Sequence, residues 1–265
     1  MEGDGIPVIT LTTDFGLEDP YVGIMKGVIL NIHRDCRIVD ITHGIASQDI
    51  LAGALALSSS FRFFPKGTIH VAVVDPGVGS SRRPLLVQTE DYFFVGPDNG
   101  LLSPALEQEK DVRIYHLIQD RFFLKQLSRT FHGRDIFAPV AGWLSQGTPP
   151  SEFGPRIQDL LTLKLPLPKR MGHHVLGTIL RIDKFGNLIT NLTTKDFPEP
   201  VGRFVLRIAG HEIRQHLSSY AEAETRTLFT IFGSSGYLEI SVHCGSAAIV
   251  LKVSGREEFE LERIE

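Results

Sequence analysis

The chain has 265 residues, enough for one large domain or two modest ones, each with a hydrophobic core, so a small stapled scaffold is excluded. Hydrophobic residues make up 42% and charged residues 22%, mean hydropathy is +0.04, and the apolar runs are short, which excludes a disordered or bilayer-spanning chain. With 27 basic against 31 acidic residues the net charge is -4, so nothing draws the protein globally to nucleic acid or a membrane surface, and a small-molecule ligand must be recognised locally. Cys36 and Cys244 are far apart and outside any CxxC pair, which argues against a disulfide framework or a cysteine zinc site. Met1–Gly5 is polar and acidic rather than signal-like, and a reducing cytoplasm is the expected compartment.

In chain order, Ile6 to Thr12 is a β-branched run that gives way to polar Thr13-Asp14-Phe15-Gly16, and Val22, Met25, Val28, Ile29 and Ile32 then recur at spacings of three and four. This is a strand, a loop and a helix. A second strand is expected at Arg37 to Ile41, a helix from Asp49 to Phe64, and a very apolar strand at Thr68 to Val74. Alternation of strand and helix predicts a mainly parallel sheet covered on both faces, hence an α/β three-layer N-terminal domain. Two further strands, Pro84 to Gln88 and Tyr92 to Val95, and a helix over Asp135 to Leu144 complete residues 1–150. Pro149, Pro150, Pro155, Pro166 and Pro168 resist both helix and central strand, so 151–170 reads as a linker. From 171 to 265, short strands are expected at Val175–Ile182, Phe204–Ile208, Leu228–Phe232, Leu238–Val242 and Ala247–Val253, giving an all-β, barrel-like domain.

Several signals mislead. Asp14-Phe15-Gly16 and His33-Arg34-Asp35 imitate kinase signatures but stand in the wrong order, without a glycine-rich loop or strand lysine. Gly77-Val78-Gly79 follows an apolar strand, yet Arg82 occupies the third glycine position of a dinucleotide fingerprint. The ten histidines form no HxxxH or HExxH pair, so no metal site is expected.

What remains is the placement of polar residues at strand ends, where open α/β sheets bind ligands. Asp14 and Asp75 both leave such ends, and the Pro and Gly residues of the Asp75–Arg82 loop can fold Arg82 back beside Asp75. Such a pair could hold a polar ligand or, as a structural ion pair, simply tie down the loop. His132 falls at the mouth of a predicted helix, and spacing alone favours a capping-region histidine.

Four motifs in one order change that balance: Thr10-Leu11-Thr12-Thr13-Asp14-Phe15-Gly16 with Asp19-Pro20-Tyr21-Val22-Gly23, Val73-Val74-Asp75-Pro76-Gly77-Val78-Gly79, Gly96-Pro97-Asp98-Asn99-Gly100-Leu101-Leu102, and Phe131-His132-Gly133-Arg134-Asp135. Together they resemble the S-adenosylmethionine hydroxide adenosyltransferase family, related to the fluorinases and chlorinases. Ile182 to Asn191 and Gly233 to Ile240 extend the resemblance over nearly the whole chain. The resemblance implies hydrolysis of S-adenosylmethionine to adenosine and methionine, with no cofactor and no metal. It implies that Asp75, Arg82 and His132 position and activate the water, and that Asp14 holds the ribose hydroxyls. Asn187, with Asp183 and Phe185, would bind adenosine, while Ser234, Ser235, Tyr237 and Glu239 would contact adenine or methionine. It further implies a homotrimer with sites between subunits. In the halogenases a tyrosine stands at the position of Asp75 and the histidine is missing, so these residues favour water over halide.

The chemistry suits the side chains. A sulfonium leaves as a neutral thioether and needs neither protonation nor a metal, whereas water must lose a proton as it attacks, a step for which a positioned base contributes about 10²–10⁴-fold. His132 or Asp75 could take that proton, and Arg82 could stabilise the developing hydroxide. Opposite charges cancel in the reaction, so a site that excludes bulk water helps. Without the resemblance, Asp14 reads as a turn or capping aspartate, Asn187 as a turn asparagine and Phe185 as packing. A nucleoside sensor without turnover and an adenosyl halogenase are the competing functions.

Overall fold

The computed structural model describes residues 5–197 and 203–264; Met1–Asp4, most of the polar terminus read above, lie outside the described residues. Its contacts divide the chain into two units, Met1–Leu163 and Lys164–Glu265.

In the first unit the elements run β1 (Val8–Thr13), α1 (Tyr21–Ile32), β2 (Arg37–Thr42), α2 (Ile50–Ser60), β3 (Ile69–Val73), β4 (Pro84–Gln88), β5 (Phe93–Pro97), α3 (Ser103–Leu106), β6 (Arg113–His116), α4 (Ala138–Ser145) and β7 (Arg156–Ile157). The seven strands form one sheet in the order β2-β1-β3-β5-β4-β6-β7. Its β2-β1-β3-β5 half is parallel and its β4-β6-β7 half antiparallel. Both faces are covered, because side chains alternate across each strand. Val71 and Val73 face Val22, Met25 and Ile29 of α1 and Val140 and Leu144 of α4. Ala72 and Val74 face Ala54 and Leu57 of α2 with Leu102 and Ala105. Every residue of β3 is buried, as the expected central strand requires.

The second unit contains β8 (Lys169–Met171), β9 (His174–Ile182), β10 (Leu188–Thr193), β11 (Phe204–Ile208), β12 (His211–Ile213), β13 (His216–Leu217), β14 (Leu228–Phe232), β15 (Tyr237–Val242), α5 (Ala247–Leu251) and β16 (Glu258–Arg263). One sheet of nine strands runs β12-β11-β16-β9-β10-β15-β14-β13, with β8 on β9, and curls into a half-barrel. Val175, Ile179, Leu206, Ile240 and Leu261 fill its core.

Three local readings differ from the sequence expectations. Ala247–Val253 is a short helix rather than a strand, because Ser246 Oγ accepts from Ile249 N–H at 3.2 Å to cap its start and Lys252, at φ +55°, ends it. The helix expected over Asp49–Phe64 begins on an Asp49 cap and is α-helical only to Ser60, passing into a 3-10 turn ahead of Pro65. The proline-rich 151–170 stretch is divided: β7 pairs with β6, and the Leu161 and Leu163 amides donate to Asp98 Oδ1 and Ser103 Oγ at 2.7 and 2.8 Å, so 151–163 packs within the first unit.

Candidate active site

The loop after β3 starts from a fixed point. Asn99 Nδ2 donates to the Val74 carbonyl at 2.8 Å, and the chain then turns, with Val78 N–H donating to the Asp75 carbonyl at 3.2 Å and Ser80 N–H to that of Gly77 at 3.1 Å. Arg82 returns beside Asp75, donating through Nε to Oδ1 at 2.9 Å and through Nη2 to Oδ2. This two-pronged, charge-assisted contact is the strong form of an arginine–carboxylate pair. Both side chains are shielded, at 8% and 5% exposure. The same Nη2 lies 2.9 Å from His132 Nδ1. A guanidinium has no lone pair to offer, so Nδ1 is the acceptor and the neutral ring carries its proton on Nε2. Arg82, not Asp75, is therefore the group that touches the imidazole. Burial, then the adjacent Arg82 charge, holds the His132 ring below its ordinary pKa. Arg82 also lies over the Phe137 ring at 5.3 Å. Its Nη1 is buried with no partner among the described residues, which in a native fold calls for an explanation such as a ligand.

Local packing brings His132 to this point. It precedes a π-helical turn, Gly133–Phe137, that runs into α4, a distortion that recurs at functional sites. The carboxylate of Asp135, fully buried, accepts from Ser128 N–H and Arg134 Nε, each at 2.6 Å, and so fastens the loop before His132. Gly79, at φ +76°, meets that loop so closely that a Cβ would strike the Arg129 carbonyl.

Asp14 leaves the end of β1, and its Oδ2 accepts from Gln48 N–H at 2.7 Å. No donor among the described residues occupies its Oδ1. Phe15, Tyr21 and Phe131 meet edge to face or tilted, with centroids 5.1 to 6.0 Å apart, so Phe15 belongs to a partly exposed aromatic cluster beside His132.

Within the second unit, a cavity of about 900 Å³ is lined by Asp183, Phe185, Asn187, Ser234 and Glu239 together with Tyr220, His243 and others. Asp183 is occupied by its own turn: Oδ1 accepts from Phe185 N–H at 2.8 Å and Asn187 N–H at 2.9 Å, and Oδ2 from Asn187 Nδ2 at 2.9 Å. That turn leaves Phe185 75% exposed while Asn187 is buried. Gly186, at φ +84°, passes so close to Ser246 that a Cβ would collide with it. On β15, Leu238, Ile240 and Val242 enter the core, so Tyr237, Glu239 and Ser241 share the opposite face. Tyr220 donates its hydroxyl to Glu239 Oε2 at 2.9 Å. Burial raises the Glu239 carboxyl above its usual range despite that bond, and burial with the Glu239 contact pushes the Tyr220 phenol up to about 12. Ser235 and Tyr237 are not among the cavity's lining residues.

Residues 9–154 match the model of the SAM hydroxide adenosyltransferase N-terminal domain, and residues 177–260 match that of the C-terminal domain. The chain belongs to the SAM hydroxide adenosyltransferase family. A Thermus thermophilus relative named (R)-S-adenosyl-L-methionine hydrolase is 37% identical over 248 residues, covering 91% of this chain and 93% of its own. A Methanocaldococcus jannaschii protein of the same name is 34% identical, covering 98% of each chain. An Actinoplanes fluorinase is 27% identical, covering 74% of this chain and 75% of its own. Among solved structures, a conserved protein from Thermotoga maritima superposes with a TM-score of 0.87 at 34% identity, covering 97% of this chain and 100% of that one.

Asp75, Arg82 and His132 thus meet in one cluster, and five of the residues expected from the second unit line one cavity. Among the described residues, no three His, Cys, Asp or Glu side chains gather as a metal-ligand group, and no helix is long and apolar enough to cross a membrane. Sequence reading missed Tyr220 and His243, which reach the cavity from elsewhere in the unit. Tyr220 carried no signal, since it sits in a polar stretch outside any motif, whereas the run from Leu238 through Gly245 to Ser246 offered a faint one for His243.

Proposed function

We propose that the protein hydrolyses S-adenosyl-L-methionine to adenosine and L-methionine. Hydroxide derived from water forms a bond to ribose C5′ as the C5′–S bond breaks, and the electron pair stays on sulfur in the departing thioether. The observation that carries this reading is the Arg82 hub, which binds Asp75 and His132 at once and keeps a buried Nη1–H without a partner among the described residues. Arg82 Nη1–H is one donor left for the oxygen of a water, and His132 Nε2–H, on the far side of the ring from Arg82, is a second, separate donor for the substrate. A donor such as Arg82 Nη1–H stabilises the charge that develops as the water loses its proton. Asp75 takes that proton, since the His132 nitrogen beside Arg82 is already an acceptor and the other already bears a hydrogen.

Asp14 Oδ1 is assigned to the ribose hydroxyls. Phe185 offers an exposed ring to adenine, Asn187 an amide oriented by Asp183, and Ser234 and Glu239 polar contacts in the same cavity. Ser235 and Tyr237 belong to the turn and strand that present them. The departing thioether is neutral, so the proposed reaction needs no metal or other cofactor. Exposed Leu17, Tyr21 and Ile24 beside the Phe15 cluster support the trimer that the family resemblance implies, and two unpaired cysteines suit a reducing cytoplasm. The curated hydrolases, at 34% and 37% identity over most of the chain against 27% over less of it for the fluorinase, support water over halide.

The test is chromatography of the purified protein with S-adenosylmethionine and a chelator. Equal amounts of adenosine and methionine, above the spontaneous background and unaffected by chelation, are expected. Binding without products would leave a sensor, and a 5′-halo-adenosine formed only with halide would leave a halogenase.

A further inference from the structure

Behind Asp14 lies a line of polar side chains that the proposed chemistry does not use. Lys26 on α1 donates Nζ to Asp40 Oδ2 at 2.6 Å. Asp40 Oδ1 is 3.1 Å from His43 Nε2, and His43 Nδ1 is 2.8 Å from Thr13 Oγ1. Thr13 Oγ1 in turn accepts from Phe15 N–H at 3.2 Å. Because that amide uses a lone pair of the hydroxyl, the Thr13 proton is free to point at His43 Nδ1, and Nε2 keeps its hydrogen on the Asp40 side. The Nε2 contact is too bent to count as a full hydrogen bond. Burial disfavours ionised Asp40, but Lys26 and His43 outweigh it and hold the carboxyl below its usual range. The Lys26–Asp40 end is about one-third exposed, so on its own it is a weak surface pair. The His43–Thr13 end is different, for His43 is 5% and Thr13 0% exposed.

His43 also grips the far side of Asp14. Its carbonyl accepts from Gly16 N–H at 2.9 Å. The side chain of His43 thus holds Thr13, one residue before Asp14, and its main chain holds Gly16, two residues after. Five residues beyond His43, Gln48 adopts φ +67° and donates its amide to Asp14 Oδ2. The segment from His43 to Gln48 is therefore a template on which the Asp14 carboxylate is set, with Oδ1 left for a ligand.

We propose that His43 is a positioning residue for the ribose: through Thr13 and Gly16 it fixes the backbone on both sides of Asp14 and so the direction in which Oδ1 meets the ribose hydroxyls. This rests on the assignment of Asp14 to those hydroxyls. An ångström of displacement there misaligns the sugar that carries C5′.

The experiment is calorimetric titration with adenosine and with 2′,3′-dideoxyadenosine, which lacks the hydroxyls, for the unmodified protein, His43→Leu, His43→Asn and Asp14→Ala. His43→Leu is expected to weaken adenosine binding about tenfold, the scale of one hydrogen bond to a charged group, and to leave dideoxyadenosine binding unchanged. His43→Asn, whose amide oxygen can still accept from Thr13, is expected to restore much of the loss. Thr13→Val, which removes the hydroxyl at nearly constant shape, should reproduce the selective loss and serves if His43→Leu does not fold. If Asp14→Ala weakens adenosine selectively but neither His43→Leu nor Thr13→Val does, or if they weaken both ligands alike, the positioning role is overturned. If Asp14→Ala itself does not separate the two ligands, the ribose assignment falls and this inference falls with it.

Discussion

Arg82 and His132 are 50 residues apart in the chain, and Nη2 of the first donates to Nδ1 of the second at 2.9 Å. One guanidinium thereby sets the tautomer of the histidine and the orientation of the Asp75 carboxylate together. A lysine could supply the charge but not three directed N–H bonds from one plane.

Arg82→Lys should therefore lower kcat by about 10²-fold or more, the usual scale for removing a donor aimed at developing negative charge, while adenosine binding is retained. Single-turnover chromatography alongside adenosine titration checks this. Full activity in Arg82→Lys would show that charge alone suffices.

The His132 pairing gives a pH dependence of definite sign. Its pKa lies below the ordinary 6.5 because burial and Arg82 disfavour the imidazolium, so the ring is neutral at pH 7. As the pH falls through that depressed value, a proton on Nδ1 breaks the bond to Arg82 and sets two cations together. The acid limb of kcat/KM should therefore lie below pH 6.5. In Arg82→Gln the loss of the cation should move the ring's titration, followed by proton–nitrogen NMR, toward higher pH.

Phe185 is 75% exposed and makes little core packing, so Phe185→Ala should leave the melting temperature within about a degree or two of the parent, as for other surface changes. Adenosine binding should weaken by about 1 kcal/mol, the scale of an aromatic stacking contact. A large loss of stability with unchanged binding would make the ring structural.

His70 provides a test of the core. It is fully buried on β3, with Nδ1 2.8 Å from Thr10 Oγ1 and Phe61 and Phe94 rings beside it. Burial pushes its pKa down to about 3, so the folded state keeps it neutral. Below its ordinary value of 6.5 the unfolded chain binds the proton and the folded one does not. Stability should then fall by about 1.4 kcal/mol per pH unit on acidification, down toward the folded pKa. Between pH 7.5 and 5.5 the loss from His70 should total about 1.4 kcal/mol, nearly all of it below pH 6.5; urea unfolding at the two pH values measures it, and His70→Phe should remove this part whatever its effect at neutral pH.

Much of the fold was legible because its signals are local. The spacing of Val22, Met25 and Ile29 announced the buried face of α1, and the apolar run of β3, interrupted only by His70, announced a strand covered on both sides. Ala247–Val253 was not legible as a helix, since its apolar composition suits either state and the Ser246 cap decided between them. β16 was overlooked although Phe259 and Leu261 alternate with charged residues, because the charges dominate the composition of a strand with one face in solvent.

The sequence by itself determined that Asp14 and Asp75 leave strand ends and that the Pro and Gly residues between Asp75 and Arg82 permit a compact return, because turn chemistry and strand periodicity act within a few residues. Its ordered motifs also pointed to the family. Only the tertiary structure decided that Arg82 rather than Asp75 holds His132, that Asp183 is spent on orienting Asn187, and that Tyr220 reaches Glu239. Those contacts join side chains across strands, loops and a π-helical turn, and side-chain direction there is set by packing that no local pattern encodes.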